Sequence, residues 1–252
     1  MEQQNFKKDE LVFYHIAGRS LDGKYLPGYD SLAIQERHLT NVSRLLMDKV
    51  LNKKWLFKML PFVKEVAVCN TVAFGTADED SDIDLFFILD SKRFFTGRLL
   101  VSALFELFGL RRKKSKIKGR FCLSFFVSED NLDFSEILIE KDVYFYYWFK
   151  NLIFLKGDKD VQDKLISKNN FDVVGFKNAM GYKKSIFAVA FEKLIPNFVE
   201  NFLRSFQLKR AEVKNQSLGN PAGVIIKDGM LKFHVHDIRP EFRDAYLSLL
   251  LR

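Results

Sequence analysis

The sequence predicts an α+β protein in which a mixed β-sheet with flanking helices is followed by a mainly helical C-terminal region. Short apolar runs alternate with amphipathic segments between residues 61 and 140, and apolar residues recur at helical spacing after Lys141. Hydrophobic residues make up 48% and charged residues 29% of the 252 residues, a balance that excludes a disordered chain. The length suits one large domain or a core with helical additions.

Charge and cysteine content narrow the class of protein. The 40 Lys and Arg residues against 32 Asp and Glu residues give a net charge of +8, which favours partners such as nucleotides, nucleic acid or an anionic membrane surface. Part of the excess lies in residues 111–120 (RRKKSKIKGR), which we interpret as a solvated loop, with a nucleic-acid contact as the alternative. The two cysteines, Cys69 and Cys122, exclude a disulfide framework and a zinc-ligand pattern.

The sequence further predicts a cytoplasmic protein with no membrane partner. The first ten residues, MEQQNFKKDE, lack the apolar core of a signal peptide. The most apolar stretches are interrupted by charge, at Glu106 and at Lys150, before they reach the length of a membrane span.

Residues 1–60 are predicted to form a turn-rich segment and a helix. Gly18, Gly23, Pro27 and Gly28 interrupt any long element and favour turns around a short hairpin. From residue 41 to residue 60 apolar residues recur at helical spacing, and Pro61 marks the end of that helix.

Residues 61–140 are predicted to form the core. The segments VKEVAVCNT, IDLFFIL and RFCLSFFVSE have the composition of strands, and FTGRLLVSALFELFG between the last two is predicted as a helix closed by Gly109. This order of elements favours a mixed sheet with helices packed against it.

Residues 141–252 are predicted to be mainly helical. Helices are expected over DVYFYYWFKNLIFLKG, over DVQDKLISKN and over a long run from Lys183 to Leu208, with apolar faces that pack on each other and on the core. The last residues predict a strand pair about Asp228 and Gly229, followed by a closing helix. His234 and His236 would share one face of that second strand, but two ligands without a third make a weak metal site.

The stretch VAVCNTVAFGTADEDSDIDLFFIL carries the chemistry. Asp82 and Asp84 are two residues apart where a strand begins, so their side chains project from the same face and their oxygens can converge on a hard cation. Upstream, Asn70 and Thr71 end the preceding strand, and Gly75 permits close approach of the backbone to a phosphate group. The pattern predicts a turn that accommodates phosphate beside a metal site.

The spacing of a strand, a small polar pair and then G-T-x-x-x-x-S-D-I-D resembles the signature of minimal nucleotidyltransferases in the DNA polymerase beta superfamily. The match covers residues 61–127, and the candidate nucleotide-binding residues on it are Asn70, Thr71, Gly75, Thr76 and Ser81. In the family the polar pair is usually glycine and serine, so this chain departs from it at Asn70 and keeps a hydroxyl at Thr71. The segments FYHIAGR and MLKFHVHDIRPEFR are similar to those of bacterial nucleotidyltransferase-like proteins.

The resemblance implies a polymerase-beta-like core and an activity. A hydroxyl of an acceptor would attack the α-phosphate of a nucleoside triphosphate and release pyrophosphate, with Asp82 and Asp84 as the catalytic residues that hold two Mg²⁺ ions. The acceptor stays open among RNA, protein and small molecules, and the basic charge of the chain favours an anionic one.

The family also implies a third carboxylate from a neighbouring strand, here RFCLSFFVSE. Regular alternation puts Cys122, Ser124 and Phe126 on one face, with Ser124 at the expected acid position. Glu129 and Asp130 at the strand end could substitute only if the register is shifted.

The missing acid keeps two other hypotheses open on the same fold. One is a catalytically impaired nucleotide- or RNA-binding module, which binding of a triphosphate without turnover would select. The other is an antitoxin-like regulatory protein of the kind found in nucleotidyltransferase antitoxin pairs.

Overall fold

A computed structural model describes residues 8–18 and 40–250 of the chain. Within them the α-helices, in chain order, are α1 (Lys8–Ala17), α2 (Asn41–Leu51), α3 (Lys54–Lys58), α4 (Asn70–Phe74), α5 (Phe94–Leu107), α6 (Val143–Lys150), α7 (Lys159–Lys168), α8 (Ile186–Leu194), α9 (Asn197–Ser217) and α10 (Arg239–Leu250). The strands are β1 (Val63–Cys69), β2 (Ile83–Leu89), β3 (Phe121–Ser128), β4 (Ile153–Phe154), β5 (Lys177–Asn178), β6 (Val224–Lys227) and β7 (Met230–Phe233).

The strands form one seven-stranded mixed sheet, and the protein is therefore an α+β fold. The strand order is β5-β4-β1-β2-β3-β7-β6. In its centre β1 and β2 are antiparallel, β2 and β3 are parallel, and β3 and β7 are antiparallel. The three central strands come from residues 61–140, and strands from residues 141–252 extend the sheet at both edges.

Both faces of the sheet are covered, which explains why the central strands are mostly apolar. Phe86 and Ile88 of β2 enter a first core that also contains residues of α1, α6 and α10. The alternate residues, Leu85, Phe87 and Leu89, enter a second core with residues of α2, α3 and α5. Side chains of β2 therefore alternate between the two faces of the sheet, and Asp84 lies on the same face as Phe86 and Ile88.

A β-bulge interrupts the pairing of β3 with β2. Asp84 pairs with Cys122, but Phe86 pairs with Phe125, so β3 holds one extra residue between these pairs. As a consequence Leu123 packs in the second core while Phe125 packs in the first. The alternation predicted from the sequence holds up to Ser124 and is wrong beyond it, because regular alternation assumes a strand without a bulge.

The segment after residue 141 differs from the prediction in two places. The long helix expected from Lys183 to Leu208 is divided into α8 and α9 at Pro196, which cannot continue a helix, and α9 extends to Ser217. Within DVYFYYWFKNLIFLKG the helix α6 ends at Lys150, and Ile153 and Phe154 pair with β1 as the short strand β4. The strand pair about Asp228 and Gly229 is present as β6 and β7. Gly229 has a φ of 73°, a turn conformation that glycine adopts without strain.

Asn70 and Thr71 begin the short helix α4 instead of ending β1. Gly18 follows α1, whereas the turns expected at Gly23, Pro27 and Gly28 lie outside the described residues. In the part of the chain that is described, no helix combines the length and the apolar character needed to cross a membrane.

Glu65 of β1 joins the sheet to the segment before α7, and we call this arrangement the Glu65 anchor. Its carboxylate is fully buried and accepts hydrogen bonds from the backbone N–H groups of Val66, Lys156, Gly157 and Asp158 at 2.7 to 3.0 Å, and from Gln162 Nε2 at 3.2 Å. Burial raises the pKa of Glu65, and these donors oppose the rise by solvating the charged form. The acid is therefore a structural connector.

Candidate functional site

Asp82, Asp84 and Cys122 meet at one end of the central strands. One potential ligand atom from each lies within 4.8 Å of the others, and we call this group the acidic cluster. Asp84 is the second residue of β2, with Cys69 of β1 opposite it on one side and Cys122 of β3 on the other. The two carboxylates thus converge, as their spacing on a strand predicted.

Each carboxylate of the cluster already has a hydrogen-bond donor. Arg112 donates to Asp82 Oδ2 at 2.8 Å, and Asn70 Nδ2 donates to Asp84 Oδ2 at 2.8 Å. Tyr144 of α6 in turn donates its hydroxyl to Asn70 Oδ1 at 3.3 Å, which orients the amide so that its N–H faces the acid.

The electrostatics of the cluster favour an added cation. Burial raises the pKa of Asp84 to about 6, the charge of Asp82 adds to the rise, and the hydrogen bond from Asn70 opposes it. A divalent ion between the carboxylates would remove this like-charge repulsion. Burial and the same two acids raise the pKa of Cys122 far above its usual value, so without a metal ion its sulfur is a neutral thiol.

The donor set of the cluster therefore fits a hard cation such as Mg²⁺. Mg²⁺ takes oxygen ligands, keeps several waters and needs only one or two protein carboxylates when a triphosphate supplies further oxygens. Asp82 and Asp84 provide those carboxylates, and Cys122 adds a single sulfur, fewer than the thiolate and imidazole ligands of a typical structural zinc site.

Among the other predicted site residues, Asn70 hydrogen-bonds directly to the cluster. Asn70 has a φ of 56°, a left-handed conformation that asparagine tolerates better than most residues, and this turns its side chain toward Asp84. Thr71 is half-buried in the next position. Its carbonyl accepts hydrogen bonds from the backbone N–H groups of Gly75 and Thr76, which close the turn after α4.

The remaining predicted residues shape the loop. Gly75 has a φ of 80° at the end of α4, and its carbonyl accepts the N–H of Thr40. Thr76 is buried, with no hydrogen-bond partner for its hydroxyl among the described residues. Ser81 donates its hydroxyl to Asp78 Oδ1 at 2.7 Å and accepts the Asp78 N–H, so it fixes the acidic loop that leads to Asp82.

Cys122 is the third member of the cluster, and no third carboxylate lies with Asp82 and Asp84 among the described residues. Ser124, the position expected from the sequence, instead lies 3.2 Å from His234 Nε2. Glu129 follows the far end of β3 and pairs with Lys64 at 3.1 Å, so the shifted register does not bring it to the cluster.

Two residues of the site were missed from the sequence. Arg112 belongs to the basic run that we interpreted as a solvated loop, and its neighbour Lys118 pairs with Asp80 of the acidic loop. The complementary charges of residues 78–82 and 111–120 were the available signal for this contact. Tyr144 belongs to an aromatic run, and nothing in its spacing distinguishes it from core residues.

Comparison with known protein families, with curated proteins and with solved structures finds no significant match to this chain.

Proposed function

We propose that the protein is a Mg²⁺-dependent nucleotidyltransferase with a core of the polymerase-beta type. It would transfer a nucleoside monophosphate from a nucleoside triphosphate to a hydroxyl group of an acceptor, with release of pyrophosphate. The observation that carries the proposal is the convergence of Asp82 and Asp84 within 4.8 Å beside the turn that begins at Asn70.

The order of elements in the core supports this proposal. From α2 to β3 the elements follow in the order α2, α3, β1, α4, β2, α5 and β3. The two acids lie at the start of the middle strand, β2. The turn that holds Asn70 and Thr71 connects β1 to the acidic loop, so it lies next to the acids on the β1 side. A triphosphate at this turn would have its charged oxygens beside the metal ligands.

Each residue then has a defined task. Bound Mg²⁺ would neutralise the charge that develops on the phosphate oxygens and the leaving pyrophosphate. Asp82 and Asp84 supply its protein ligands, and Asn70 positions Asp84 through its 2.8 Å hydrogen bond. Arg112 is an exposed guanidinium with a single contact to Asp82, and it can exchange that contact for a phosphate group because guanidinium N–H groups bind both carboxylate and phosphate oxygens.

Pyrophosphate release tests the proposal. With Mg²⁺ and each nucleoside triphosphate in turn, the wild type should release pyrophosphate, and Asp82→Ala should lower the rate about 100-fold. Asp80→Ala is the matched control, since Asp80 lies in the same loop but is exposed and paired with Lys118. Equal release by wild type and Asp82→Ala would refute the assignment.

A second candidate function is binding of a metal–triphosphate complex without transfer. The observation that favours it is Cys122, a neutral thiol at the position where a third acid could accept the proton of the attacking hydroxyl. Titration calorimetry with Mg²⁺ and a triphosphate separates the two candidates. Binding that depends on Asp84 without any pyrophosphate release selects the second.

A further inference from the structure

Lys232 is a buried cation that lacks a partner. It is the third residue of β7, opposite Phe125 of β3, and only 7% of its surface is exposed. In the described ranges, 8–18 and 40–250, its ammonium nitrogen makes no hydrogen bond or ion pair, but it is not one of the fully enclosed polar atoms and keeps some contact with solvent. Proteins rarely keep an ammonium group in this state, because desolvation of the charge is unfavourable unless an anion compensates for it.

The carboxylates near Lys232 are already engaged by Arg239. The guanidinium donates to both oxygens of Asp237 at 2.8 and 2.7 Å, to Asp142 Oδ2 at 3.0 Å and to the carbonyl of Ile137 at 2.7 Å. Arg239 itself is buried, and its pairs with two carboxylates leave this network with one net negative charge, which offsets the charge of Lys232 without a direct hydrogen bond to it. Burial and the charge of Arg239 lower the pKa of Lys232 to about 8, and the ammonium form still dominates at neutral pH.

His234 brings a second unsatisfied group to the same face. It follows Lys232 by two residues along the extended chain, and its Nε2 lies 3.2 Å from the hydroxyl of Ser124. Its Nδ1 is buried and has no partner in the part of the chain that the structure describes. Burial and the neighbouring Lys232 lower the pKa of His234 to about 4, so the ring is neutral and carries one N–H group.

These groups lie beside the acidic cluster, on the side away from the phosphate turn. Strand β3 separates β2 from β7, and Ser124 follows Cys122 of the cluster by two residues on β3. The turn at Asn70 instead follows β1, on the other side of β2. A triphosphate at the turn and an anion at Lys232 would therefore flank Asp84 from opposite sides.

We propose that Lys232, His234 and Ser124 form an anion-binding subsite that holds a phosphate or carboxylate group of the acceptor substrate. The ammonium group supplies the charge, and the imidazole N–H and the serine hydroxyl supply directed hydrogen bonds. The existence of an anion site follows from the unpartnered groups alone, whereas its assignment to the acceptor rests on the proposed nucleotidyl transfer. The acceptor is then a hydroxyl compound that also carries an anionic group.

Titration of the protein with inorganic phosphate and, separately, with acetate tests the subsite. The solutions contain EDTA and no nucleotide, so that the metal ligands do not contribute. Wild type should bind at least one of the two anions, and Lys232→Met should weaken that binding about tenfold or more, the effect expected for loss of a charge-assisted contact. The tighter anion identifies the group on the acceptor as phosphate or carboxylate.

Two further variants make the outcome decisive. Lys227→Met is the matched control, because Lys227 lies on the same hairpin but is exposed and paired with Glu136, and it should bind like the wild type. If Lys232→Met does not fold, His234→Gln takes its place and should also weaken binding. Equal affinity in wild type and either subsite variant, or no binding of both anions by the wild type, overturns the subsite.

The test also separates this inference from the proposed function. The titration contains neither metal nor nucleotide, so its failure leaves pyrophosphate release by the acidic cluster unaffected. Conversely, absence of pyrophosphate release with intact, Lys232-dependent anion binding refutes nucleotidyl transfer and leaves the anion site in place.

Discussion

Buried charges are treated in opposite ways in two regions of the sheet. In the Glu65 anchor, five N–H groups converge on one carboxylate and satisfy it within the protein. At the acidic cluster, by contrast, like charges lie together, and at Lys232 a largely buried ammonium group has no direct hydrogen bond within the described part of the chain. The difference teaches that a satisfied buried charge stabilises the fold, whereas an unsatisfied one indicates a place prepared for a ligand.

The largest test of this comparison removes the satisfied charge. Glu65→Ala leaves five donors unpaired in the interior and should lower the free energy of unfolding by about 3 to 5 kcal/mol. Urea denaturation measures the loss. Glu136→Ala is the control, because Glu136 is an exposed acid whose single ion pair contributes little. A small effect at Glu65 would remove the contrast between the two regions.

The converse test removes the unsatisfied charge at Lys232. Lys232→Met should raise the free energy of unfolding at pH 7 by about 1 to 3 kcal/mol, since an apolar side chain of similar length replaces a buried ammonium group. A purely structural lysine would give the opposite sign. Urea denaturation of Lys227→Met, at an exposed position on the same hairpin, provides the baseline.

The gain from Lys232→Met should depend on pH. The pKa of Lys232 is lowered to about 8 from its ordinary value of 10.5 by burial and then by the charge of Arg239, whereas Asp237 and Asp142 oppose that change. Below pH 8 the lysine is charged in both states and the cost is complete. Between about pH 8 and 10.5 the unfolded chain binds the extra proton, so wild-type stability rises relative to the variant. Denaturation at pH 7 and pH 10 should show the difference shrinking.

A third test increases the mutual repulsion in the acidic cluster. Cys122→Asp places another carboxylate beside Asp82 and Asp84 and should raise Mg²⁺ affinity about tenfold, or ~1.4 kcal/mol, while it lowers stability in EDTA. Calorimetric titration and thermal melts with and without Mg²⁺ measure both effects. Cys122→Ser changes the side chain without adding charge and should do neither. Unchanged Mg²⁺ affinity in Cys122→Asp would argue against a metal site.

The smallest expected effect concerns Arg112, which pairs with Asp82 of the cluster. Arg112→Ala removes the 2.8 Å contact to Asp82, and because Arg112 is largely exposed its loss should change stability by less than about 1 kcal/mol. Mg²⁺ alone should then bind a few times more tightly, since it no longer competes with the guanidinium group. Arg111→Ala, at the adjacent exposed position, should leave the affinity unaltered.

The sequence predicted those parts of the molecule that depend on local pattern. Strand β2 and the convergence of Asp82 and Asp84 followed from apolar runs and a two-residue spacing. The bulge at Ser124 did not, because an extra residue in one strand is visible only against its partner. The end of α6 at Lys150 also depends on pairing with β1, which overrides the helical spacing of the segment.

The unsatisfied charge at Lys232 could not be predicted for the same reason. The sequence of a short strand predicts a solvated side chain for a lysine. The burial of Lys232 results from α6, whose N-cap is Asp142, and from α10, which begins at Arg239, both on that face of the sheet. The nucleotidyltransferase resemblance stays a prediction, because it concerns ancestry and chemistry more than packing. The division of the chain at residues 60 and 140 also stays a prediction.

The extra residue in β3 has a consequence for how that strand tolerates mutation. Before the bulge, Cys122 and Ser124 occupy the face of the sheet that carries the candidate site, whereas after it Phe125 and Val127 fill the core on that face. On this face of β3 the side chains therefore come from even-numbered positions before the bulge and from odd-numbered positions after it. Deletion of one residue between Cys122 and Phe126 would remove the bulge. Side chains on one side of the deletion would keep their faces, and those on the other side would move to the opposite face of the sheet.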